Sequence, residues 1–366
     1  MSESCLLRSP RVEMDLGRLA ANVRAVSSLC SKYGIGVAAV TKCVCAHPAV
    51  VRVMAESGPR WLADSRVENL LAVRSAGFGL PLLLLRAPSR STVRAAVEVA
   101  DISLESEVET VQAIGREARY CGVEHGVVLM IDVGDLREGV WPDKAAETAR
   151  AMDSVEGVRV MGIGTNHACY GGVVPSVENM QVLMDTAAEV EQAIGRPLEI
   201  ISGGNSSALS MLEQGLMPSG VNQLRVGESI LVGRYVTDRS PIPGLHQDAF
   251  TLVGEVIELR RKPSVPIGQR AQDAFGNEPE FGDRGWMTRA ILDMGRQDVM
   301  VEGIEPVDQC VHVLGASSDH LILDVTKCKG LRVGDEVRFS LSYGALLSAM
   351  TSPYVAKVVS GRYCRG

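Results

Sequence analysis

A lysine closes the apolar run Gly36-Val37-Ala38-Ala39-Val40-Thr41-Lys42, and a loop containing Pro48 follows. Lysine is one of the few side chains that can form a Schiff base with a carbonyl compound. Most lysines are merely solvated, so a surface role for Lys42 stands beside the chemical one. Polar residues also close other apolar runs. Val127-Val128-Leu129-Met130-Ile131-Asp132 turns into Val133-Gly134-Asp135-Leu136-Arg137-Glu138-Gly139. Gly162-Ile163-Gly164 leads into Thr165-Asn166-His167-Ala168-Cys169-Tyr170-Gly171-Gly172. Ile201-Ser202 leads into Gly203-Gly204-Asn205-Ser206-Ser207, and Asn222-Gln223-Leu224-Arg225 into Val226-Gly227-Glu228-Ser229. Gly203, Gly204 and Gly227 let backbone approach an anion, and the serines offer hydroxyls. Each of these stretches has a plainer reading too: Gly-Gly-Asn-Ser is an ordinary turn with a helix cap, and Arg225 suits a rim ion pair.

The surrounding pattern decides whether these residues can meet. Strand-like runs recur near residues 37–41, 61–63, 82–86, 101–103, 127–132, 158–163, 198–202 and 222–225. Helical spacing separates them near 48–57, 66–76, 89–99, 106–119, 143–153, 177–194 and 207–214, and Leu16, Leu19, Ala20, Val23 and Val26 form an apolar stripe after Asp15. Eight strands alternating with helices predict a closed (β/α)8 TIM-type barrel, whose active residues sit at the C-terminal strand ends. The loops after the seventh and eighth strands are a recurrent phosphate site in barrels. A lysine, two arginines and a phosphate cradle at one barrel mouth point to pyridoxal 5'-phosphate. The barrel spans 10–240. Past Ser240-Pro241-Ile242-Pro243-Gly244 the texture becomes Val/Ile/Leu-rich runs near 250–259, 288–293, 309–314, 320–325, 333–340 and 353–361. That predicts a mostly β C-terminal domain over 241–366, which the strand near 10–15 is free to join.

Composition narrows the function classes. The chain has 366 residues with 37 Lys+Arg against 44 Asp+Glu, a net charge of −7, and 4% aromatics. Neither nucleic acid nor an anionic membrane is expected as partner. The nine cysteines, odd in number and scattered through apolar runs such as those of Cys30 and Cys310, read as reduced core thiols of a cytoplasmic protein. Cys43 and Cys45 lack a second cluster with ligand spacing, so no metal is expected. Met1-Ser2-Glu3-Ser4-Cys5 has no apolar run behind a basic start, which predicts no secretory signal.

Taken in order, these motifs resemble the alanine racemase family of fold-type III pyridoxal-phosphate enzymes, over nearly the whole chain from Arg11-Val12-Glu13-Met14-Asp15-Leu16 to Tyr354. Val40-Thr41-Lys42 is similar to the cofactor-lysine segment, Asp132 to Gly139 to the family's Asp-Thr-Gly-x-x-Arg-x-Gly run, and Asn205-Ser206 to its phosphate loop. Leu224-Arg225-Val226-Gly227 is similar to its Arg-x-Gly segment, and Ser342-Tyr343-Gly344-Ala345-Leu346-Leu347 to its closing motif. The ornithine racemase-like branch is resembled by Gly164 to Gly172, Gly134 to Gly139, Asp273-Ala274-Phe275-Gly276, Gly295-Arg296-Gln297-Asp298-Val299 and Ser317-Ser318-Asp319-His320.

The resemblance implies an amino-acid racemase, an isomerase, acting on a basic amino acid such as ornithine or lysine. Lys42 would carry the cofactor and act as base on one face of Cα. Arg225 would face the pyridine nitrogen; always cationic, it disfavours protonation there and suits reprotonation at Cα. Ser206, the backbone of Gly227 and Glu228, and Tyr343 would hold the phosphate. Arg137 would lie near the phenolic oxygen or the substrate carboxylate, and Asn166 takes the place of a ring-stacking histidine, with His167 as either its substitute or a core residue. Asp273 and Asp319 are candidate substrate contacts; Asp135 and Glu138 add acidic character suited to a cationic side chain. The resemblance further implies a head-to-tail homodimer. Two departures stand out. Ile267 occupies the place of the second base, a tyrosine, leaving Asp273, Asp319, His320 or Tyr170 for that role, and Met130 stands near the place of a carbamylated lysine. The rival functions are a pyridoxal-phosphate decarboxylase or aldolase of the same architecture, and a non-catalytic carrier of the cofactor.

Overall fold

The computed structural model describes residues 9–278 and 280–361. Met1–Cys5, read above for a secretory signal, lies outside the described residues. By internal contact the chain forms two compact units: one is Leu16–Gln247, and the other combines the segment ending at Asp15 with Asp248–Gly361. Strand β1 (Arg11–Met14) belongs to the latter.

In the Leu16–Gln247 unit, helix α1 (Leu16–Ser31) precedes eight strands: β2 (Gly36–Val40), β3 (Trp61–Asp64), β4 (Leu82–Leu84), β5 (Ile102–Glu105), β6 (His125–Met130), β7 (Val158–Gly164), β8 (Ile200–Asn205) and β9 (Gln223–Val226). They close a parallel barrel in chain order, β9 pairing back onto β2. Helices α2 (Pro48–Glu56), α3 (Val67–Ser75), α4 (Val93–Val99), α5 (Val108–Cys121), α6 (Pro142–Asp153), α7 (Val177–Ile194), α8 (Leu209–Glu213) and α9 (Glu228–Val232) follow successive strands. The fold is the (β/α)8 barrel expected from the alternation. Such strands are covered on both faces, so they read as continuous apolar runs. Ala38, Val40, Leu83, Leu104, Val128 and Ile200 pack into one cluster from alternate strand positions, and Met130 belongs to it. Local chemistry sets the helix ends. Ser176 accepts from Asn179 N–H at 3.3 Å while Asn179 accepts from Ser176 N–H at 2.8 Å, a reciprocal cap on α7. Pro48 and Pro142 start α2 and α6, where a missing N–H costs nothing.

The other unit is mostly β. Its sheet runs β12-β15-β10-β11-β14-β13, built from β10 (Phe250–Pro263), β11 (Trp286–Leu292), β12 (Ile304–Pro306), β13 (His312–Ala316), β14 (Leu321–Asp324) and β15 (Glu336–Leu341). β1 pairs antiparallel with β10 and parallel with β16 (Ala356–Val359). One helix, α10 (Tyr343–Thr351), follows β15. Arg11, only 3% exposed, is held by Glu13 at 2.6 Å and Glu336 at 2.8 Å, which offsets the cost of burying its charge.

Cys310 and Cys328 form a disulfide across the β13–β14 hairpin, their Cα atoms 5.3 Å apart. This corrects the reading of Cys310 as a reduced core thiol: Cys310 just before β13 and Cys328 just after β14 are brought together at the open end of the hairpin, which spacing along the chain does not reveal. Cys30 does behave as a core thiol, with burial pushing it up to about 12. Among the described residues no helix is long and apolar enough to cross a membrane.

Candidate active site

Lys42, Arg137, Asn166, Ser206 and Arg225 stand on or just beyond the C-terminal halves of barrel strands. β2 stops at Val40, and a single 3-10 turn, Lys42–Val44, carries the lysine just beyond it. Thr41 Oγ1 donates to Asp64 Oδ2 at 2.7 Å, tying this turn to the end of β3. Cys45 and Ala46 then adopt φ of 50° and 48°. Among the described residues the other non-glycine positive φ values are at Leu136, Ala168 and Arg239. Four of the five, Cys45, Ala46, Leu136 and Ala168, lie on loops that follow barrel strands, each at a cost on the order of 1 kcal/mol, while Arg239 follows α9. Backbone strain of this kind clusters where a site is being held in shape.

On the adjacent strand β9, registered by the pairs Ala38–Arg225 and Ala39–Val226, stands Arg225. It is 3% exposed, and burial pushes its guanidinium down to about 10, with the Glu138 carboxylate opposing. Three hydrogen bonds use part of its five N–H donors. Nη1 donates to Ser202 Oγ; Nη2 donates to Thr165 O at 2.5 Å and to Asn166 Oδ1 at 2.7 Å. Ser202 Oγ donates to Gln223 Oε1 at 2.8 Å. Asn166 Nδ2 donates to Glu138 Oε1 at 2.6 Å, and both Glu138 oxygens accept from Arg137. A continuous chain thus runs from Gln223 in the barrel to the exposed Arg137.

The loop carrying Arg137 is built around Asp132, whose Oδ1 accepts from Gly134 N–H at 2.8 Å and Leu136 N–H at 3.2 Å. It is pinched shut at Gly139, φ 129°, where a Cβ would meet Asp132 N at 2.5 Å. Only glycine fits there. Asp135 is 2% exposed and accepts the N–H groups of Cys169 (3.2 Å), Tyr170 (3.0 Å) and Val173 (3.2 Å). It clamps the loop after β6 to the loop after β7, so it is not available to a substrate as its sequence position suggested.

Between β8 and β9 lies a collar of donors. Asn205 Oδ1 caps Ser207 N–H at 2.8 Å. Ser206 Oγ accepts Gly227 N–H at 3.2 Å and Ser229 N–H at 3.3 Å. Ser207 Oγ is buried with no hydrogen-bond partner among the described residues. Buried hydroxyls are rarely left unpaired, and this one, next in sequence to the serine on which the two N–H groups converge, fits a phosphate oxygen. A Cβ on Gly227 would lie 3.0 Å from Val40 Cβ, so the residue must be small for the collar to close on β2. Glu228 opens α9; burial pushes its carboxyl up, opposed by its ion-pair partner Arg239 and by Lys42. The thiol of Cys169 is also raised by burial, against the charges of Arg137 and Lys42. The donor set at this mouth, an amine, two guanidiniums and a collar of N–H and O–H groups, suits pyridoxal phosphate.

Other expected residues fall differently. His167 is fully buried, and burial pushes its ring down to about 4, so it is a neutral core histidine; Asn166, not His167, faces Arg225. Tyr343, Asp273 and Asp319 belong to the mostly β unit. Tyr343 begins α10 behind the cap of Ser342. Asp273 Oδ1 accepts the N–H groups of Asn277 (2.8 Å) and Phe275 (2.9 Å), which hold it below the ordinary carboxylate range. Asp319 accepts from Gln297 Nε2 and, at 2.9 Å, from Ser318 Oγ. Ile267 is 91% exposed and offers no proton. Sequence reasoning missed Ser202 and Gln223. Gln223 lies two residues before Arg225 on β9, and Ser202 lies opposite Gln223 on β8, a signal that period-2 counting around a buried charge would have exposed.

The chain is similar to known proteins over most of its length. Residues 14–234 match the family model for the alanine racemase N-terminal domain. The chain is 42% identical over 349 residues to a lysine racemase of Thermotoga maritima, covering 95% of this chain and 98% of that protein. It is 39% identical over 350 residues to an ornithine racemase of Acetoanaerobium sticklandii, covering 95% and 99%. Among solved structures, the alanine racemase from a D-cycloserine-producing Streptomyces lavendulae superposes with a TM-score of 0.76 at 20% identity, covering 97% of this chain and 99% of that one. A D-threonine aldolase from Filomicrobium marinum gives a TM-score of 0.72 at 16% identity, covering 94% and 89%. At these identities the two structures speak for the fold alone. The family match and the full-length relatives go further: this chain belongs to the alanine racemase family.

Proposed function

We propose that the chain is an amino-acid racemase that interconverts the L and D forms of a basic amino acid, ornithine or lysine, with pyridoxal phosphate, as a cytoplasmic homodimer. The observation that carries the reading is the β2–β9 pairing, which leaves Lys42 and Arg225 at one barrel mouth beside the Ser206 collar. The substrate class is supported by the relatives named for lysine and ornithine.

Bound pyridoxal phosphate would withdraw electrons from the substrate Cα and make its proton labile. The chain's own residues do the rest. Ser206 with the N–H groups of Gly227 and Glu228 binds the phosphate. Arg225, cationic at neutral pH, presents a hydrogen bond to the ring nitrogen without supplying a carboxylate to protonate it. That keeps the electron sink shallow and favours return of the proton over loss of carbon dioxide. Lys42 holds or returns the proton at one face of Cα. Glu138 occupies two of the five N–H donors of Arg137, so three remain for the carboxylate of a substrate. The acid or base of the opposite face is one of Tyr170, Asp273, Asp319 and His320.

Incubation with L-ornithine or L-lysine in heavy water tests this. The reading expects deuterium at Cα, an intact carbon skeleton and the D enantiomer. Release of carbon dioxide would make the protein a decarboxylase, and cleavage of a β-hydroxy amino acid an aldolase. Cofactor binding with no Cα exchange for any amino acid would make it a carrier.

A further inference from the structure

We infer that Glu138 is the positioning residue of this site: its single carboxylate orients both guanidinium groups, Arg137 directly and Arg225 through the amide of Asn166. The inference rests on the pyridoxal-phosphate racemase reading above. Glu138 follows Arg137 directly in a loop closed at Gly139, and both of its oxygens accept from that arginine. Oε1 also accepts from Asn166 Nδ2 at 2.6 Å. A carboxylate can only accept, so it fixes which end of the Asn166 amide faces it. Oδ1 is thereby turned to Arg225, which donates to it at 2.7 Å. Each later bond is fixed in sense as well, since Arg225 donates to Ser202 and Ser202 to Gln223.

Replacing the carboxylate by an isosteric amide removes this logic. Gln at 138 could offer N–H groups to Asn166, turning the Asn166 NH2 toward Arg225, donor against donor. It would also leave Arg137 without its counter-charge, free to swing from the direction in which it meets a substrate. The effect is electrostatic rather than steric, and that separates it from a filler role. The arrangement has a consequence for specificity. Glu138 is occupied by two partners, so it does not receive the cationic end of a basic substrate despite its sign and its place at the mouth.

The test uses purified holoenzyme of the wild type, Glu138→Gln, Glu138→Asp and Asn166→Ala. Two readouts are taken: the pH dependence of the bound-cofactor absorbance, and KM against kcat for L-ornithine or L-lysine. Charge-assisted pairs of this kind are the strong ones, so Glu138→Gln is expected to raise KM by about 10-fold or more and to shift the spectral titration. Glu138→Asp, shorter but charged, is expected to fall between Gln and wild type. Asn166→Ala removes the amide between the two charges and leaves the Glu138–Arg137 pair in place; it is expected to move the spectrum and to raise KM by less than Glu138→Gln does. That variant carries the test if the Gln variant does not fold. A Gln variant that matches wild type in both readouts, an Asp variant worse than Gln, or an unmoved Asn166→Ala spectrum would overturn the assignment alone. A wild type that forms no borohydride-reducible complex with pyridoxal phosphate would overturn it together with the cofactor reading.

Discussion

Arg225 Nη2 and Asn166 Oδ1 lie 2.7 Å apart at the barrel mouth, the arginine donating and the amide accepting. Neither residue is exposed beyond 9%, so the bond is made in a dry, low-dielectric setting where an unpaired guanidinium would be costly. The sequence places these residues 59 positions apart. The barrel brings them together because β7 and β9 flank β8.

The identity of the ring-facing group decides the fate of the substrate carbon. Arg225→Glu would exchange a cation for a carboxylate able to protonate the ring nitrogen and deepen the electron sink. Racemisation is expected to fall by about 100-fold or more, with a rise in keto-acid formation. Chiral chromatography and a keto-acid assay check both. Racemisation unchanged by the substitution would remove Arg225 from the ring.

Glu105 ends β5, is fully buried, and has its carboxyl pushed up to about 8 by burial, partly opposed by the Ser103 hydroxyl. The folded state therefore keeps this proton at pH values where the unfolded chain has lost it. Its favourable contribution is complete below the ordinary carboxylate value near 4.5 and is lost as pH rises toward 8, by at most about 1.4 kcal/mol per pH unit. Glu105→Gln is expected to flatten this slope and to exceed wild type in stability by about 1–2 kcal/mol above pH 8. Urea denaturation at pH 5, 7 and 9 measures it; equal slopes for the two proteins would show that Glu105 ionises freely.

The Cys310–Cys328 bond closes a loop of sequence separation 18 in the mostly β unit. Chain-entropy arguments give such a cross-link about 3 kcal/mol. Cys310→Ser, or a reducing agent on the wild type, is expected to lower the urea midpoint of unfolding accordingly, and the two treatments should not add. A midpoint indifferent to reductant would mean that the bond carries no stability.

The barrel was legible because its strands are covered on both faces and so stand out as short unbroken apolar runs between helical stretches. Its eight strands fall within a few residues of the expected ones. The mostly β unit was less legible. β10 runs on through Arg260, Arg261 and Lys262, whose charges mask the end of the strand, and α10 hides in the apolar run after Ser342. The disulfide was invisible, since nine cysteines admit many pairings. In the site, Lys42, Arg225 and Ser206 announced themselves by closing strands. The shared carboxylate of Glu138 did not, because it depends on which amide faces it across two loops, and so does the clamp of Asp135, which local sequence makes look like a free acid.

The central claim is that Lys42 is the residue that carries the cofactor and works one face of the substrate carbon. The direct measurement is borohydride reduction of protein loaded with pyridoxal phosphate, followed by proteolysis and mass spectrometry of the peptides. The account expects a pyridoxyl group on Lys42, and no labelling or racemase activity in Lys42→Ala. A pyridoxyl group found on another lysine, or a Lys42→Ala protein that still takes the label and racemises, would contradict it.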